Sequence, residues 1–362
     1  MQVTIVGLPA SGKTTVFNAL TGGHAEIGGY SGGHAAPNIG VVKVPDERLD
    51  RLSAMFRPRK TTHADVTYVD VAIPAGATRE GTVAPETLAQ IRNADALLHV
   101  ARAFEDATRT EPVDPWRDVD ALDVEFTLAD LAVVEKRLKK LRTQGRHGSP
   151  AEREQAAREE ELLTGVESHL SSGNPLRGLE MSEDEERLLR GYRFLTQKPV
   201  LVVLNLDEGQ LGSAPTLESE GRDRYTQPSS DVVALGGKIE AELAELGEED
   251  ARPFMADLGI AEASRGRVIR LTYRLLGLIS FFTTGEDECR AWTVPAGATA
   301  VDAAGAIHSD LARGFIRAEV IDWEDLLAAG SEAEARRRGV LRTEGKSYRV
   351  RDGDTIHVLF NV

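Results

Sequence analysis

At 362 residues, with 41% hydrophobic and 28% charged side chains, the chain is long enough for two or three packed domains and too apolar to be disordered. A formal net charge of −15 excludes non-specific binding of nucleic acid by the surface as a whole. The single cysteine, Cys289, excludes an internal disulfide and points to a reducing compartment.

The chain opens on a short apolar run, residues 3–6, which ends in Gly7-Leu-Pro-Ala-Ser-Gly12-Lys13-Thr14 and passes into the amphipathic stretch 15–20. Strand, glycine loop and helix in that order are the context a phosphate-binding loop requires. Gly7 and Gly12 have no Cβ, so the backbone can curl its N–H groups around phosphate oxygens. Lys13 supplies a point charge for the β- and γ-phosphates, and the Thr14 hydroxyl can ligate Mg²⁺. Gly7, Pro9, Ala10, Ser11, Gly12, Lys13, Thr14 and Thr15 are the expected phosphate site. With a strand at the start, no N-terminal targeting segment is expected. The most membrane-like run, residues 268–282, carries Arg270 and Arg274 and is too short to span. The expected location is the cytoplasm, with no membrane partner.

Further strands are predicted at 65–71 and 96–101 with a helix at 85–93 between them, the rhythm of a mainly parallel sheet covered on both faces. A helix over 124–142, breakers at 145–150 and a charged helix over 151–170 then predict an antiparallel helical hairpin that projects outward, followed by a third helix over 183–195. The sheet resumes at 199–204, ending in Asn205-Leu206-Asp207-Glu208, and again at 231–235, before Gly236-Gly237-Lys238 and a helix over 239–246. Asp70, Asn205 and the Gly7 loop thus share the carboxyl edge of the sheet, where open α/β folds bind ligands. Asp70 joins Thr14 as a candidate metal-organising residue. The last 80 or so residues predict a small α+β module with a helix at 300–308 and a closing hairpin, 348–358, turning at Asp352-Gly353.

The motifs Gly-Leu-Pro-x-x-Gly-Lys-x-Thr, Pro37-Asn38-Ile-Gly-Val-Val42 with Pro45-Asp46-x-Arg48-Leu49, and Asn205-Leu-Asp-Glu208 resemble the YchF, or Obg-like ATPase, family. So do Glu135-Lys-Arg-Leu138, Lys238-Ile-Glu-Ala-Glu-Leu243, Arg290-Ala-Trp292-Thr, Gly314-Phe-Ile-Arg-Ala-Glu-Val320, Glu344-Gly-Lys346 and Phe360-Asn-Val362, over nearly the whole chain. The resemblance implies a P-loop NTPase (GTPase-like) α/β domain over 1–125 and 196–278, a helical insertion over 126–195, and a C-terminal β-grasp (TGS, ubiquitin-like) domain over 279–362. It also implies an ATP-preferring, Mg²⁺-dependent and slow hydrolase that associates with ribosomes. Asn205, Leu206, Glu208, Gly236 and Gly237 would surround the base. Where GTP-specific relatives carry Asn-Lys-x-Asp, this chain has Leu206 for the lysine and Glu208 for the aspartate, which removes the matched acceptor for guanine and favours ATP over GTP. Asn205 could also merely cap a strand-to-helix turn.

The sequence departs from the family pattern at the switches. Ile73 and Pro74 stand where a glycine and a hydrophobic residue are usual, and His34 replaces a magnesium-binding threonine, with Ser31 the nearest substitute hydroxyl. Ala10 replaces an asparagine associated with a monovalent cation. The glycine-rich stretch after the second switch shrinks to residues 76–81, and Gly236-Gly237 replaces Ser-Ala. Binding residues are spared while those that would sense the γ-phosphate are altered. A non-hydrolysing ATP-binding scaffold is therefore the alternative to a slow ATPase, with an Obg-group GTPase a further one. Three basic clusters are the only local candidates for RNA contact, each more simply a solvated helix face: Arg137 to Arg142, Arg265 to Arg270, and Arg336 to Arg338.

Overall fold

The computed structural model describes residues 1–25, 37–73, 83–106, 112–144, 149–246, 248–257 and 263–361. Ser31, His34, Pro74, the stretches 28–33 and 76–81, and Val362 lie outside the described residues.

The first elements in chain order are β1 (Gln2–Val6), α1 (Lys13–Thr21), β2 (Asn38–Lys43), α2 (Glu47–Phe56), β3 (Lys60–Thr62), β4 (Asp65–Asp70), α3 (Pro85–Ile91) and β5 (Ala96–Arg102). Then come α4 (Pro115–Gln144), α5 (Pro150–Ser171), α6 (Glu183–Leu189), β6 (Val200–Asn205), α7 (Ala214–Arg224), β7 (Ser230–Leu235), α8 (Gly237–Glu245), α9 (Glu248–Asp257) and α10 (Ser264–Leu275). The remainder is β8 (Leu278–Thr283), β9 (Glu288–Pro295), α11 (Ala300–Ile307), α12 (Ser309–Arg313), β10 (Phe315–Asp322), α13 (Trp323–Ala329), α14 (Glu332–Arg338), β11 (Arg342–Glu344) and β12 (Asp354–Phe360). Contacts divide the chain into two compact units, Met1–Gly40 with Thr67–Arg265 and Val41–Val66 with Gly266–Val362.

The first unit holds a six-stranded sheet in the order β2-β4-β1-β5-β6-β7. The pairs β1–β4, β1–β5, β5–β6 and β6–β7 are all parallel. β5 and β6 are buried along their whole length, as expected of inner parallel strands, which is why they read as unbroken apolar runs. Register brings Asp70 opposite Ile5, and Asn205 opposite Arg102, so the carboxyl ends of β4, β1 and β6 share an edge.

The 30-residue helix α4 serves two cores. Its first half sends Val119, Leu122 and Phe126 into the core of the sheet. Its second half sends Val134, Leu138 and Leu141 against Leu163, Val166 and Leu170 of α5, so the helical hairpin has a core of its own. Val124, where the predicted helix begins, is 57% exposed, because the buried stripe runs through Val119, Leu122 and Phe126. Asp130 marks the point of change. It is fully buried and accepts from Leu195 N (3.1 Å), Thr196 N (2.8 Å), Thr196 Oγ1 (2.9 Å) and Arg92 Nη1 (2.8 Å). Four donors satisfy a buried carboxylate, so its desolvation is offset and the chain's re-entry to the sheet is fixed against mid-α4. The helix predicted over 183–195 stops at Leu189. A 3₁₀ turn follows, and Arg193 at φ 51 breaks the helical path.

The second unit is a mixed sheet in the order β11-β10-β12-β8-β9-β3. The order β9-β8-β12-β10-β11, with β8 and β12 parallel and α11 packed on one face, is the β-grasp arrangement. The predicted closing hairpin is only half present. The turn at Asp352-Gly353 forms, but β12 pairs with β10 on one side and β8 on the other, leaving no free edge for residues 348–351. Arg349 instead bridges to Thr299. β3, an early segment, adds to the far edge of this sheet in parallel with β9, Lys60 opposite Glu288 and Thr62 opposite Arg290. For that reason residues 41–66 join the second unit, whereas the division by sequence puts them with the nucleotide-binding sheet.

Candidate functional site

At the carboxyl end of β1 the loop turns through three left-handed or extended-positive positions, Gly7 at φ 155, Ala10 at φ 60 and Gly12 at φ 87. The two glycines are required by close approach as well. A Cβ on Gly7 would lie 2.3 Å from the Val100 carbonyl oxygen, and one on Gly12 2.1 Å from Asn205 Nδ2. Leu8 O accepts from Ser11 N at 3.2 Å and from Lys13 Nζ at 3.1 Å, which holds the lysine folded back over the loop. Pro9 and Thr15 lie partly buried at its rim, Ala10 is exposed, and no side chain caps the start of α1. Its first N–H groups therefore remain available to an anion.

Lys13 is 9% exposed and makes no ion pair among the described residues. Burial pushes its ammonium down to about 8, against the opposing pull of Asp70. Asp70 is fully buried, and its Oδ2 accepts from Thr14 Oγ1 at 2.8 Å and from Asn38 Nδ2 at 3.4 Å. Its other oxygen, Oδ1, has no hydrogen-bond partner among the described residues, and neither does the buried Ser11 hydroxyl. A buried ammonium, an unpartnered carboxylate oxygen and an unpartnered hydroxyl form a site that is electrostatically incomplete. Oxygen donors of this kind fit Mg²⁺, which keeps most of its ligands as water and phosphate and takes one or two from protein. Asn38 is the residue of this cluster that the sequence reading left without a role; its only signal was its place after Pro37 in a family motif.

Asn205 is 4% exposed, and both ends of its amide are engaged inside the protein. Nδ2 donates to Ser11 O at 3.0 Å, and Oδ1 accepts from Gly237 N at 2.9 Å. It therefore ties the phosphate loop to the turn that begins α8. Gly237 is needed there, since a Cβ would come 2.7 Å from Asn205 Oδ1, and one on Gly236 would come 2.7 Å from Leu211 Cδ2. Leu206 is buried in the core of the sheet, while Glu208 is exposed in the turn after β6.

The family described as 50S ribosome-binding GTPase matches residues 2–140, and the YchF-GTPase C-terminal family, described as a protein of unknown function (DUF933), matches 278–361. A Bacillus subtilis protein named ribosome-binding ATPase YchF is 40% identical over 364 residues, covering 99% of this chain and 98% of that protein. The chain belongs to the YchF family. The Escherichia coli O157:H7 member of the same name is 38% identical over 362 residues, with 99% and 98% coverage. The solved YchF GTPase of Schizosaccharomyces pombe superposes with a TM-score of 0.85 at 28% identity, covering 99% of this chain and 97% of that one.

Against the YchF pattern, two departures acquire a physical description. Ala10 occupies a left-handed backbone position that asparagine adopts more readily than alanine does. Ile73, in place of a glycine, is 5% exposed and packs among Val71, Val83 and Ile91 in the sheet core. The arginines of two of the basic clusters are engaged with carboxylates. Arg137 pairs with Glu159 and Arg142 with Glu160, Arg336 pairs with Glu319, and Arg337 and Arg338 both pair with Glu334. No helix among the described residues is long and apolar enough to cross a membrane.

Proposed function

We propose that this YchF member is a cytoplasmic, ATP-binding P-loop protein that hydrolyses ATP slowly and acts, according to its nucleotide state, on the ribosome through its C-terminal TGS-type β-grasp and helical surfaces. The observation that carries the nucleotide reading is the buried Lys13 ammonium without a carboxylate partner, beside the unpartnered Asp70 Oδ1. A triphosphate would meet that demand, with the N–H groups of 12–15 on its oxygens and Lys13 on the β- and γ-phosphates. Thr14 and Asp70 would hold Mg²⁺, which supplies charge neutralisation across the phosphates when bound. The preference for ATP rests on Leu206 and Glu208, which remove the matched acceptor for guanine. Ribosome association rests on the names of the relatives.

A second reading, a non-hydrolysing scaffold with ATP as a structural ligand, is favoured by Ile73. Its side chain anchors the segment after Asp70 in the core, where the family's glycine would leave the backbone free to approach a γ-phosphate. Calorimetry of the nucleotide-free protein with ATP and with GTP in Mg²⁺ tests the binding. Tighter ATP binding supports the assignment, tighter GTP binding overturns the base argument, and no binding of either overturns both. Single-turnover hydrolysis lost in Lys13→Ala excludes the scaffold reading, and its absence from the wild type selects it.

A further inference from the structure

Most arginines of this acidic protein whose contacts are described sit in ion pairs, but in one cluster of cations Arg92 alone does. At the amino end of the parallel sheet, where β5, β6 and β7 begin, a cavity of about 570 Å³ is lined by Arg92, Arg177, Arg190, Arg193 and Lys198 against only two carboxylates, Asp95 and Glu186. That volume lies within the ~300–1,000 Å³ range of small-molecule sites. It is the opposite edge from the phosphate loop, about 20 Å away along six-residue strands at ~3.3 Å per residue.

The five cations are held in place differently. Arg92 is committed to Asp130 and to the carbonyls of Ala129 and Arg193. Arg177 is fixed by neutral partners, donating to Lys198 O at 3.1 Å and to Tyr225 OH at 3.0 Å. Arg193 donates to the amide oxygen of Asn93. Lys198 Nζ donates to the Ala94 carbonyl and makes no ion pair, and Arg190 has no side-chain partner among the described residues. Arg177, Arg190, Arg193 and Lys198 therefore keep N–H donors that no carboxylate satisfies, on a wall shared with Leu176, Leu179 and Phe194. Burial pushes the Lys198 ammonium down to about 8, against the pull of Asp95 and Asp130. Pre-positioned cations around a concave surface are what a phosphate oxyanion requires.

We infer that this cavity is a second anion site, one that takes a phosphate group, either of a free phosphorylated small molecule or of an RNA backbone. The test uses the full-length chain carrying Lys13→Ala, so that the phosphate loop does not compete. Inorganic pyrophosphate is titrated by calorimetry and a fluorescein-labelled single-stranded RNA by anisotropy, each repeated after adding the exposed pair Arg190→Ala and Arg193→Ala. At least about tenfold weaker binding of pyrophosphate identifies a free phosphate as the ligand. The same loss for RNA, with a salt slope reduced by about 1.4, identifies the backbone. Unchanged affinity for both probes, or no binding of either before the pair is added, overturns the inference. ATP affinity with Lys13 intact, unaltered by the arginine pair, shows that the variant is folded.

Discussion

Arg48 and Asp352, 304 residues apart in sequence, form a two-point ion pair, Nη1 to Oδ2 at 2.8 Å and Nη2 to Oδ1 at 3.3 Å. Asp46, the N-cap of α2, holds the same guanidinium from its other side at 2.8–2.9 Å, and the Phe282 ring lies 5.3 Å from it. Asp352 in turn accepts from Ser280 N at 2.9 Å. The family motif Pro45-Asp46-x-Arg48 is thus a fastening between α2 and the β-grasp turn, a role within the second unit. A double-mutant cycle of Arg48→Ala and Asp352→Ala should give a coupling of about 1–2 kcal/mol in chemical denaturation, since the pair is bidentate but Asp352 is half exposed. Additive effects would contradict the fastening.

Lys13 should cost the empty protein stability. Its folded value of about 8 lies below the ordinary 10.5 of a free lysine, so between those limits the unfolded chain holds a proton that the folded chain has released, and stability rises with pH. Below pH 8 both states are protonated and the full burial cost remains. Lys13→Met should therefore stabilise the nucleotide-free protein at pH 7, by on the order of 2–3 kcal/mol, while abolishing tight triphosphate binding. Thermal unfolding across pH 7–10.5 checks both the sign and the window.

The same lysine predicts proton uptake on binding. A bound phosphate raises its pKa, so affinity should fall as pH climbs above about 8. Calorimetry in buffers of different ionisation enthalpy should show wild type taking up protons on binding at pH 8.5 and far fewer at pH 7, where the ammonium is already protonated.

Asn205→Ala separates a positional role from base reading. It leaves Ser11 O and Gly237 N without their partner, so stability should drop by about 2–3 kcal/mol and ATP and GTP affinity should fall in the same proportion. A change in the ATP-to-GTP ratio would instead assign Asn205 to the base.

Asp130→Ala should be the most destabilising of these substitutions, about 3 kcal/mol, because it strands a partly buried arginine and two buried backbone N–H groups together. Urea denaturation monitored by helical circular dichroism measures it.

The phosphate loop could be read from residues alone, because its glycines answer a local steric demand, and so could the inner strands, whose burial on both faces leaves an apolar run. What escaped was set by distant partners. Lys60-Thr-Thr62 carries no strand pattern and becomes one only because β9 offers an edge. The segment before Asp352 reads as a hairpin limb until β8 takes its place beside β12. The place of Asn205 at the carboxyl end of β6 was legible, but that both ends of its amide are already engaged depends on Ser11 and Gly237, which only folding brings to it.

The membership of β3 in the second sheet has a consequence for how this gene can be cut. The polypeptide passes between the units three times, after Gly40, Val66 and Arg265. A fragment beginning at 279 would therefore omit its own edge strand, the helix α2 and the arginine that Asp352 grips. The complementary deletion would strand Leu49 and Leu52 without their surroundings. The two units are laced rather than strung, so no single cut between residues 66 and 266 leaves the second unit whole.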